Sequence, residues 1–204
     1  MCAHPLPKAT LGRLPLYLKY LKSIPADIKT VSATGIARAL NLGDVQVRKD
    51  LAAVSGEGKP KIGYITNELV NAIEDALSGG SPTGAILVGA GKLGRALLDY
   101  DGFSDYGISI AAAFDKNTFA DKSEELKKPI LPMDKLGDFC KNNGIKIGII
   151  TVPRDAAQDV CNQMVNSGIT VIWSFAPVPL SVPAGITLKR EDLALSLAHI
   201  SAQA

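Results

Sequence analysis

Histidine is nearly absent from this chain of 204 residues, with two, and cysteine occurs three times, as Cys2, Cys140 and Cys161, without a CxxC pair. An odd, scattered set of thiols, with His4 and His199 as the imidazoles, supports neither a disulfide framework nor a zinc site; the expectation is no metal and a reducing compartment. Long apolar runs are missing too. No stretch approaches the roughly 18 uncharged apolar residues of a membrane span, and MCAHPLPKATLGRLPL has no apolar h-region followed by a small-residue cleavage site. The chain is therefore expected in the cytoplasm, away from membranes.

What is present is a globular composition, 47% hydrophobic and 21% charged. The length allows one large domain or two small ones, but not a dinucleotide-binding domain plus a full substrate domain. The formal net charge of +2 is unevenly placed: residues 1–66 hold ten Lys/Arg against four Asp/Glu, net +6, and residues 67–204 hold twelve against sixteen, net −4. A basic front is expected of a chain whose one end meets a polyanion.

Leu11, Leu14, Leu18 and Leu21 fall at helical spacing and predict an amphipathic helix over 10–24, with Pro15 in its first turn, where proline is tolerated. Ser32 is a good N-cap for a short helix over 33–40. After the connector NLG, Asp44 is expected to cap a second helix over 45–54, and Thr66 a third over 67–78. Between them, SGEGKPKIGYI over 55–65, with glycines, a proline and two lysines ahead of a short β-like IGYI, predicts a hairpin-like loop. The small-residue stretch SGGSPTG at 78–84 acts as punctuation, which divides the chain into domains 1–80 and 81–204. Beyond it, AILV (85–88), ISIAAAF (108–114), KIGIITV (146–152) and ITVIWSF (169–175) are continuous apolar runs separated by helical segments near 92–99, 133–143 and 154–167. Strands apolar on both faces and alternating with helices imply an α/β unit whose parallel sheet is covered on both sides. ITLKR (186–190) predicts a last strand before a terminal helix over 191–202.

Gly89-Ala90-Gly91-Lys92-Leu93-Gly94 directly follows AILV and opens a helix, the context that GxGxxG requires. Gly89 makes the turn, Gly91 lets backbone approach a pyrophosphate, and Gly94 lets helix pack on strand, while the helix N-terminus favours phosphate. The second strand ends at Asp115, placed to accept hydrogen bonds from a ribose and to repel a 2′-phosphate, so NAD(H) is the expected cofactor; the adjacent Lys116 leaves the preference against NADP(H) open. Ligands in such sheets bind beyond the carboxyl ends of strands, so Thr151-Val152-Pro153 and Phe175-Ala176-Pro177 are both candidate floors for the nicotinamide.

In the basic front, two short helices joined by a turn containing Gly43 read as a helix-turn-helix, with 45–54 in the recognition position. Val47, Leu51 and Val54 face the core, while Gln46, Arg48 and Lys49 suit adenine, guanine and phosphate respectively. Lys59 and Lys61 in the following loop would place positive charge over the sugar-phosphate backbone as a wing.

These residues together resemble the Rex family of bacterial redox-sensing repressors. The resemblance runs from Arg13-Leu14-Pro15-Leu16-Tyr17 through Gln46-Val47-Arg48-Lys49-Asp50-Leu51, Gly63-Tyr64 and the glycine loop to Tyr100-Asp101-Gly102-Phe103, Ala113-Phe114-Asp115, Thr151-Val152-Pro153-Arg154, Phe175-Ala176-Pro177-Val178 and Asp192-Leu193. It implies an N-terminal winged helix followed by a Rossmann doubly wound parallel sheet, in a homodimer whose C-terminal helix is swapped into the partner. It further implies binding to a palindromic operator in double-stranded DNA when NAD⁺ is abundant, and release on binding NADH. By the same resemblance Tyr64 belongs with the DNA-binding residues, and Lys19, Tyr100 and Asp192 belong to the switch and interface. The terminal helix fits, with Leu193, Leu197 and Ile200 on one stripe and Ala194, Ala198 and Ala202 on another. The chain departs from the family where the aromatic pair after the recognition helix is replaced by Ala53 and Val54 and the wing arginine by Pro60, where Lys19 stands for a common arginine, and where Lys92 and Ser174 stand for common asparagines. A second reading is a small NAD-dependent oxidoreductase with an accessory N-terminal domain. Against it, no Ser/Tyr/Lys constellation is apparent in the Rossmann half, so no enzyme and no catalytic residue is expected.

Overall fold

Thr10, Leu14, Tyr17, Leu18 and Leu21 share one buried stripe of the first helix, α1 (Lys8–Ser23), in a computed structural model that describes residues 6–78, 83–117 and 128–202. The helix begins two residues before the predicted start, Leu11 N–H bonding to the Pro7 carbonyl at 3.0 Å, so Pro15 lies in the helix interior and not in its first turn. Burial decides this. An interior proline costs about 3 kcal/mol, whereas each fully buried Leu contributes roughly 1.5–3 kcal/mol, and Leu14, Leu18 and Leu21 lie on the stripe together.

The chain divides into two units, Met1–Pro82 and Thr83–Ala204. Residues 79–82 of the SGGSPTG punctuation lie outside the described residues. In the first unit Ser32 caps α2 (Ala33–Ala39), its Oγ accepting the Gly35 N–H at 3.0 Å. Two other expected caps differ. Helix α3 (Asp44–Ser55) has Gly43 as its N-cap with no side-chain bond, which makes Asp44 the first helical residue, and its carboxylate turns instead to Arg48. Thr66 is the first residue of α4 (Thr66–Ser78), and its hydroxyl donates to the Ile28 carbonyl at 2.9 Å. That bond anchors a small sheet: β1 (Thr30–Val31), in a stretch the sequence presents as loop, pairs antiparallel with β2 (Tyr64–Ile65), within the β-like IGYI, in register Thr30 to Ile65 and Val31 to Tyr64. Two-residue strands are too short to show a period of two. The wing closes where Lys59 and Gly63 exchange backbone bonds at 2.8 Å, with Lys61 at φ 64° in the turn between them.

The second unit is built on six parallel strands: β3 (Thr83–Val88), β4 (Ile108–Asp115), β5 (Ile130–Pro132), β6 (Ile147–Ile150), β7 (Val171–Ser174) and β8 (Thr187–Arg190), in spatial order β5-β4-β3-β6-β7-β8. Strand order therefore reverses between β3 and β6, leaving a crevice outside their carboxyl ends. Along β3, Ile86 and Val88 join one core with Phe114, Ile150 and Met164, while Ala85 and Leu87 join another with Leu98, Ile110 and Ile149. Alternate residues thus feed opposite faces, the packing expected of a sheet covered on both sides. The helices α5 (Lys92–Leu98), α6 (Leu136–Asn142) and α7 (Arg154–Asn166) follow β3, β5 and β6, and 3₁₀ turns occupy Asp101–Tyr106 and Met133–Lys135. Strand β5, not foreseen in the sequence, is a short edge strand, where Pro132 is tolerated for want of a neighbour needing its N–H. The last helix, α8 (Leu193–Ser201), has no buried residue.

Candidate functional site

At the crevice Gly89 takes φ 105°, and a side chain there would meet the Thr151 carbonyl and Val152. A Cβ on Gly94 would fall on the Gly89 carbonyl oxygen, so strand and helix approach too closely for any other residue. Gly91, by contrast, has nothing within 4 Å of its Cβ position and leaves backbone open to a ligand. The loop is held from three sides. Thr151 Oγ1 donates to the Gly89 carbonyl at 2.7 Å, Arg95 Nε to the Ala90 carbonyl at 2.9 Å, and the Ala90 N–H to Asp115 Oδ2 at 2.7 Å. The other Asp115 oxygen accepts the Asn117 N–H at 2.9 Å.

The resulting cleft of about 830 Å³ brings together Gly89, Ala90, Gly91, Asp115 and Lys116 with Thr151, Val152 and Pro153. Lys92, Leu93 and Gly94 sit on α5 outside its lining. Phe175 also stands apart: its N–H bonds to the Ile150 carbonyl at 2.8 Å and its ring lies 4.5 Å from that of Trp173. Ala176 and Pro177 line a separate pocket with Arg190 and Asp192. One wall escaped the sequence reading, for Asp155, Asp159 and Gln163 line the cleft from α7 at spacings of four. That i, i+4, i+8 pattern was available in the sequence, but nothing there showed which face of the helix met the cleft. An open glycine backbone beside an anchored acid suits an adenosine diphosphate, with the Gly91 backbone toward pyrophosphate and Asp115 toward ribose.

In the first unit a groove of about 640 Å³ runs between α3 and the wing, lined by Arg48, Lys49, Lys59 and Lys61 and floored by Tyr64. Gln46 is exposed on α3 outside this lining. Tyr64 is only 7% exposed, and a Cβ on Gly58 would stand 2.9 Å from its ring, so it supports the wing from beneath. Arg48 Nη2 donates to Asp44 Oδ2 at 2.9 Å.

Beneath α3 lies a network that sequence reasoning did not single out. Asp50, buried, accepts from Thr10 Oγ1 at 2.8 Å, from Arg13 Nε and Nη2 at 2.7 and 2.8 Å, and from Tyr17 Oη at 2.7 Å. Burial works against the Asp50 charge, but the bonds from Arg13, Tyr17 and Thr10 outweigh it and hold its pKa below the usual carboxylate range. Burial, then the Asp50 bond, pushes Tyr17 up to about 12. The network fixes α3 to α1 and so sets the angle at which Arg48 and Lys49 are presented. The spacing of Thr10, Arg13 and Tyr17 on one helical face was its signal in the sequence.

Of the expected switch residues, Lys19 is exposed on α1, Tyr100 is exposed with its ring edge-on to Phe103 at 5.1 Å, and Asp192 caps α8, accepting the Leu195 N–H at 2.9 Å. Cys140 and Cys161 are buried free thiols whose pKa burial raises. Among the described residues no group of three or more His, Cys, Asp or Glu could hold a metal ion, and no helix is long and apolar enough to cross a membrane.

Comparison with known proteins agrees with this two-part reading. Residues 81–178 match a family described as a CoA binding domain, and residues 5–52 one described as a putative DNA-binding protein N-terminus. The redox-sensing transcriptional repressor Rex of Treponema denticola is 38% identical over 192 residues, covering 94% of this chain and 91% of that protein. The Rex repressor of Porphyromonas gingivalis is 37% identical over 194 residues, 95% of this chain and 89% of that one. Among solved structures, RSP in complex with β-NAD⁺ and operator DNA superposes with a TM-score of 0.83 at 31% identity, covering 97% of this chain and 92% of that one. RSP in complex with β-NADH gives 0.79 at 30% identity, covering 98% and 94%. With a dinucleotide-type cleft and a basic helix-wing groove on one chain, and similarity at this level along nearly its whole length, the chain belongs to the Rex family of redox-sensing transcriptional repressors.

Proposed function

We propose that this chain is a homodimeric transcriptional repressor of the cytoplasm that holds palindromic operator DNA and releases it when NADH occupies the cofactor cleft. The observation that carries the reading is the presence on one chain of an open glycine loop anchored by Asp115 and a groove lined by Arg48, Lys49, Lys59 and Lys61. The relatives' names and the RSP complexes with NAD⁺, NADH and operator DNA support it. Residues 1–80 read DNA, and residues 81–204 hold the cofactor and the dimer. Gln46 and Arg48 read base edges, and Lys49, Lys59 and Lys61 neutralise phosphates. In the cleft, Gly91 presents backbone to the pyrophosphate and Asp115 receives the adenosine ribose; the CoA binding description of residues 81–178 is compatible, because CoA also carries an adenosine diphosphate.

NADH and NAD⁺ differ in charge and planarity at the nicotinamide ring. Thr151, Val152 and Pro153, which line the cleft, supply surroundings that tell the two apart, while Phe175, Ala176 and Pro177 at the next strand end stand outside its lining. That difference in affinity is what biases two arrangements of the dimer. Lys19, Tyr100 and Asp192 take part in the bias, and α8 crosses to the partner subunit. A titration tests this directly: a duplex recovered by selecting the chain against a randomised library is bound, and NAD⁺ and NADH are added separately. NADH is expected to release it at concentrations where NAD⁺ does not; equal effects of the two overturn the sensor reading.

A further inference from the structure

Resting on the assignment of α3 as the base-reading helix, we infer that Asp44 is a positioning residue for specificity: its carboxylate aims the Arg48 guanidinium at a base edge and restrains it from serving as a phosphate contact. Asp44 opens α3 and lies one turn before Arg48 on the same face. Its Oδ2 accepts from Arg48 Nη2 at 2.9 Å, with the two side chains 41% and 64% exposed. Oδ1 is covered and has no hydrogen-bond partner among the described residues, so the directed bonding of this carboxylate goes to Arg48.

An exposed ion pair of this kind adds little to folding. A carboxylate on a surface that meets a polyanion also works against binding to every DNA sequence alike. The pair therefore has small value as a staple and a definite cost in non-specific affinity. What it does provide is geometry. One side of the guanidinium is fixed by Asp44, and the remaining donors of the planar fork are left pointing from the helix in a narrowed set of directions, the arrangement that a bidentate contact to guanine O6 and N7 requires. Arg48 and Lys49 both line the groove, with Lys59 and Lys61 across it. Of the two cations on α3, Arg48 has its charge matched by Asp44 and suits base reading, and Lys49 suits a phosphate.

The experiment uses the full-length chain, the duplex it selects from a randomised library, single-base variants of that duplex, and a scrambled duplex, each titrated over a range of salt. Asp44→Ala is expected to tighten binding to the scrambled duplex and steepen the salt slope by about one unit, as Arg48 becomes a phosphate contact. At the base pair where Arg48→Ala loses preference, Asp44→Ala is expected to reduce discrimination by roughly fivefold or more, within the range of one bidentate contact. The double variant should discriminate no worse there than Arg48→Ala alone. Asp44→Asn, which keeps an acceptor without the charge, should tighten scrambled binding yet retain most of the discrimination. If Asp44→Ala fails to fold, Asp44→Ser replaces it, serving the helix start but too short to hold Arg48. Uniform tightening on all duplexes with base preference intact would make Asp44 a surface charge and overturn the inference alone. Unchanged preference in Arg48→Ala would overturn the base-reading assignment itself, and the inference with it.

Discussion

The carboxylate of Asp115 accepts the backbone N–H of Ala90 at 2.7 Å, so the acid at the end of β4 holds the glycine loop while lining the cleft as the proposed ribose acceptor. Removing it has two consequences that separate in measurement. A hydrogen bond to a charged group is worth roughly 1.5–3 kcal/mol, so Asp115→Ala should weaken NADH by about tenfold or more through loss of both loop order and the ribose contact. Loss of the negative charge should also narrow the gap between NADH and NADPH, since repulsion of a 2′-phosphate disappears. Calorimetric titration with the two nucleotides checks both. An unchanged NADH/NADPH ratio would assign Asp115 to the loop alone.

Asp50 and Tyr17 make the first unit sensitive to pH at both extremes. The Asp50 pKa is lowered on folding, so its contribution is full at neutral pH. It is lost as pH falls below the ordinary carboxylate value of about 3.9 towards the folded one, because the unfolded chain takes up the proton first. The Tyr17 pKa is raised to about 12 on folding, so its contribution is full below the ordinary value and is lost as pH rises from about 10 through 12. Tyr17→Phe should destabilise the fold by roughly 1.5–3 kcal/mol at neutral pH and remove the alkaline limb while keeping an acid one. Chemical denaturation followed across pH reads both limbs.

Much of this was legible in the sequence, for a stated reason. Strands β3, β4, β6 and β7 are apolar runs, β3 and β6 buried on both faces and β4 and β7 partly open on one, and α7 carries a clear period, so local pattern located them. The glycine loop was legible because Gly89 and Gly94 are required by backbone geometry. What escaped depends on tertiary partners. Strand β1 exists only as the partner of β2, and the cap expected of Thr66 gave way to the Ile28 carbonyl, 38 residues earlier, which no local window contains. Asp50 had the same fault: it lies in a charged run on α3, and only its partners 33 to 40 residues earlier on α1 make it a buried anchor. Asp44 is the exception, since the Arg48 that displaced its capping role lies only four residues on.

The wing turn sets stability against binding. Lys61 sits at φ 64°, a left-handed conformation that costs a residue with a side chain roughly 1–2 kcal/mol. Lys61→Gly removes that strain, but glycine is looser in the unfolded chain by about 0.5–1 kcal/mol, so the net stabilisation should be at most about 1.5 kcal/mol. DNA affinity should move the other way on every sequence, with a salt slope shallower by about 0.9 for the lost phosphate contact. Lys61→Asn, which tolerates the left-handed region, keeps the backbone and removes the charge. If Lys61→Gly and Lys61→Asn bind as well as the native chain, the lysine makes no contact and only the fold is affected.

Helix α8 leaves Leu193, Leu195, Leu197 and Ile200 each 62–67% exposed, a concentration of apolar surface that one nine-residue helix does not carry without a cover. Leu195 falls outside the stripe of Leu193, Leu197 and Ile200, so the apolar surface wraps the helix and asks for contact on more than one side. The proposed exchange of α8 with a partner subunit would supply this. Because a two-fold interface counts every substitution twice, Leu197→Glu should remove the burial of two leucines, roughly 3–6 kcal/mol in all, which is at least about a hundredfold in the dimer dissociation constant. Sedimentation equilibrium should show a monomer at concentrations where the native chain is a dimer. Operator binding should fall with it, since a monomer engages one half-site while the palindrome presents two. If instead the variant sediments as the native chain does, α8 is covered by something other than its own copy, and the swapped helix is excluded.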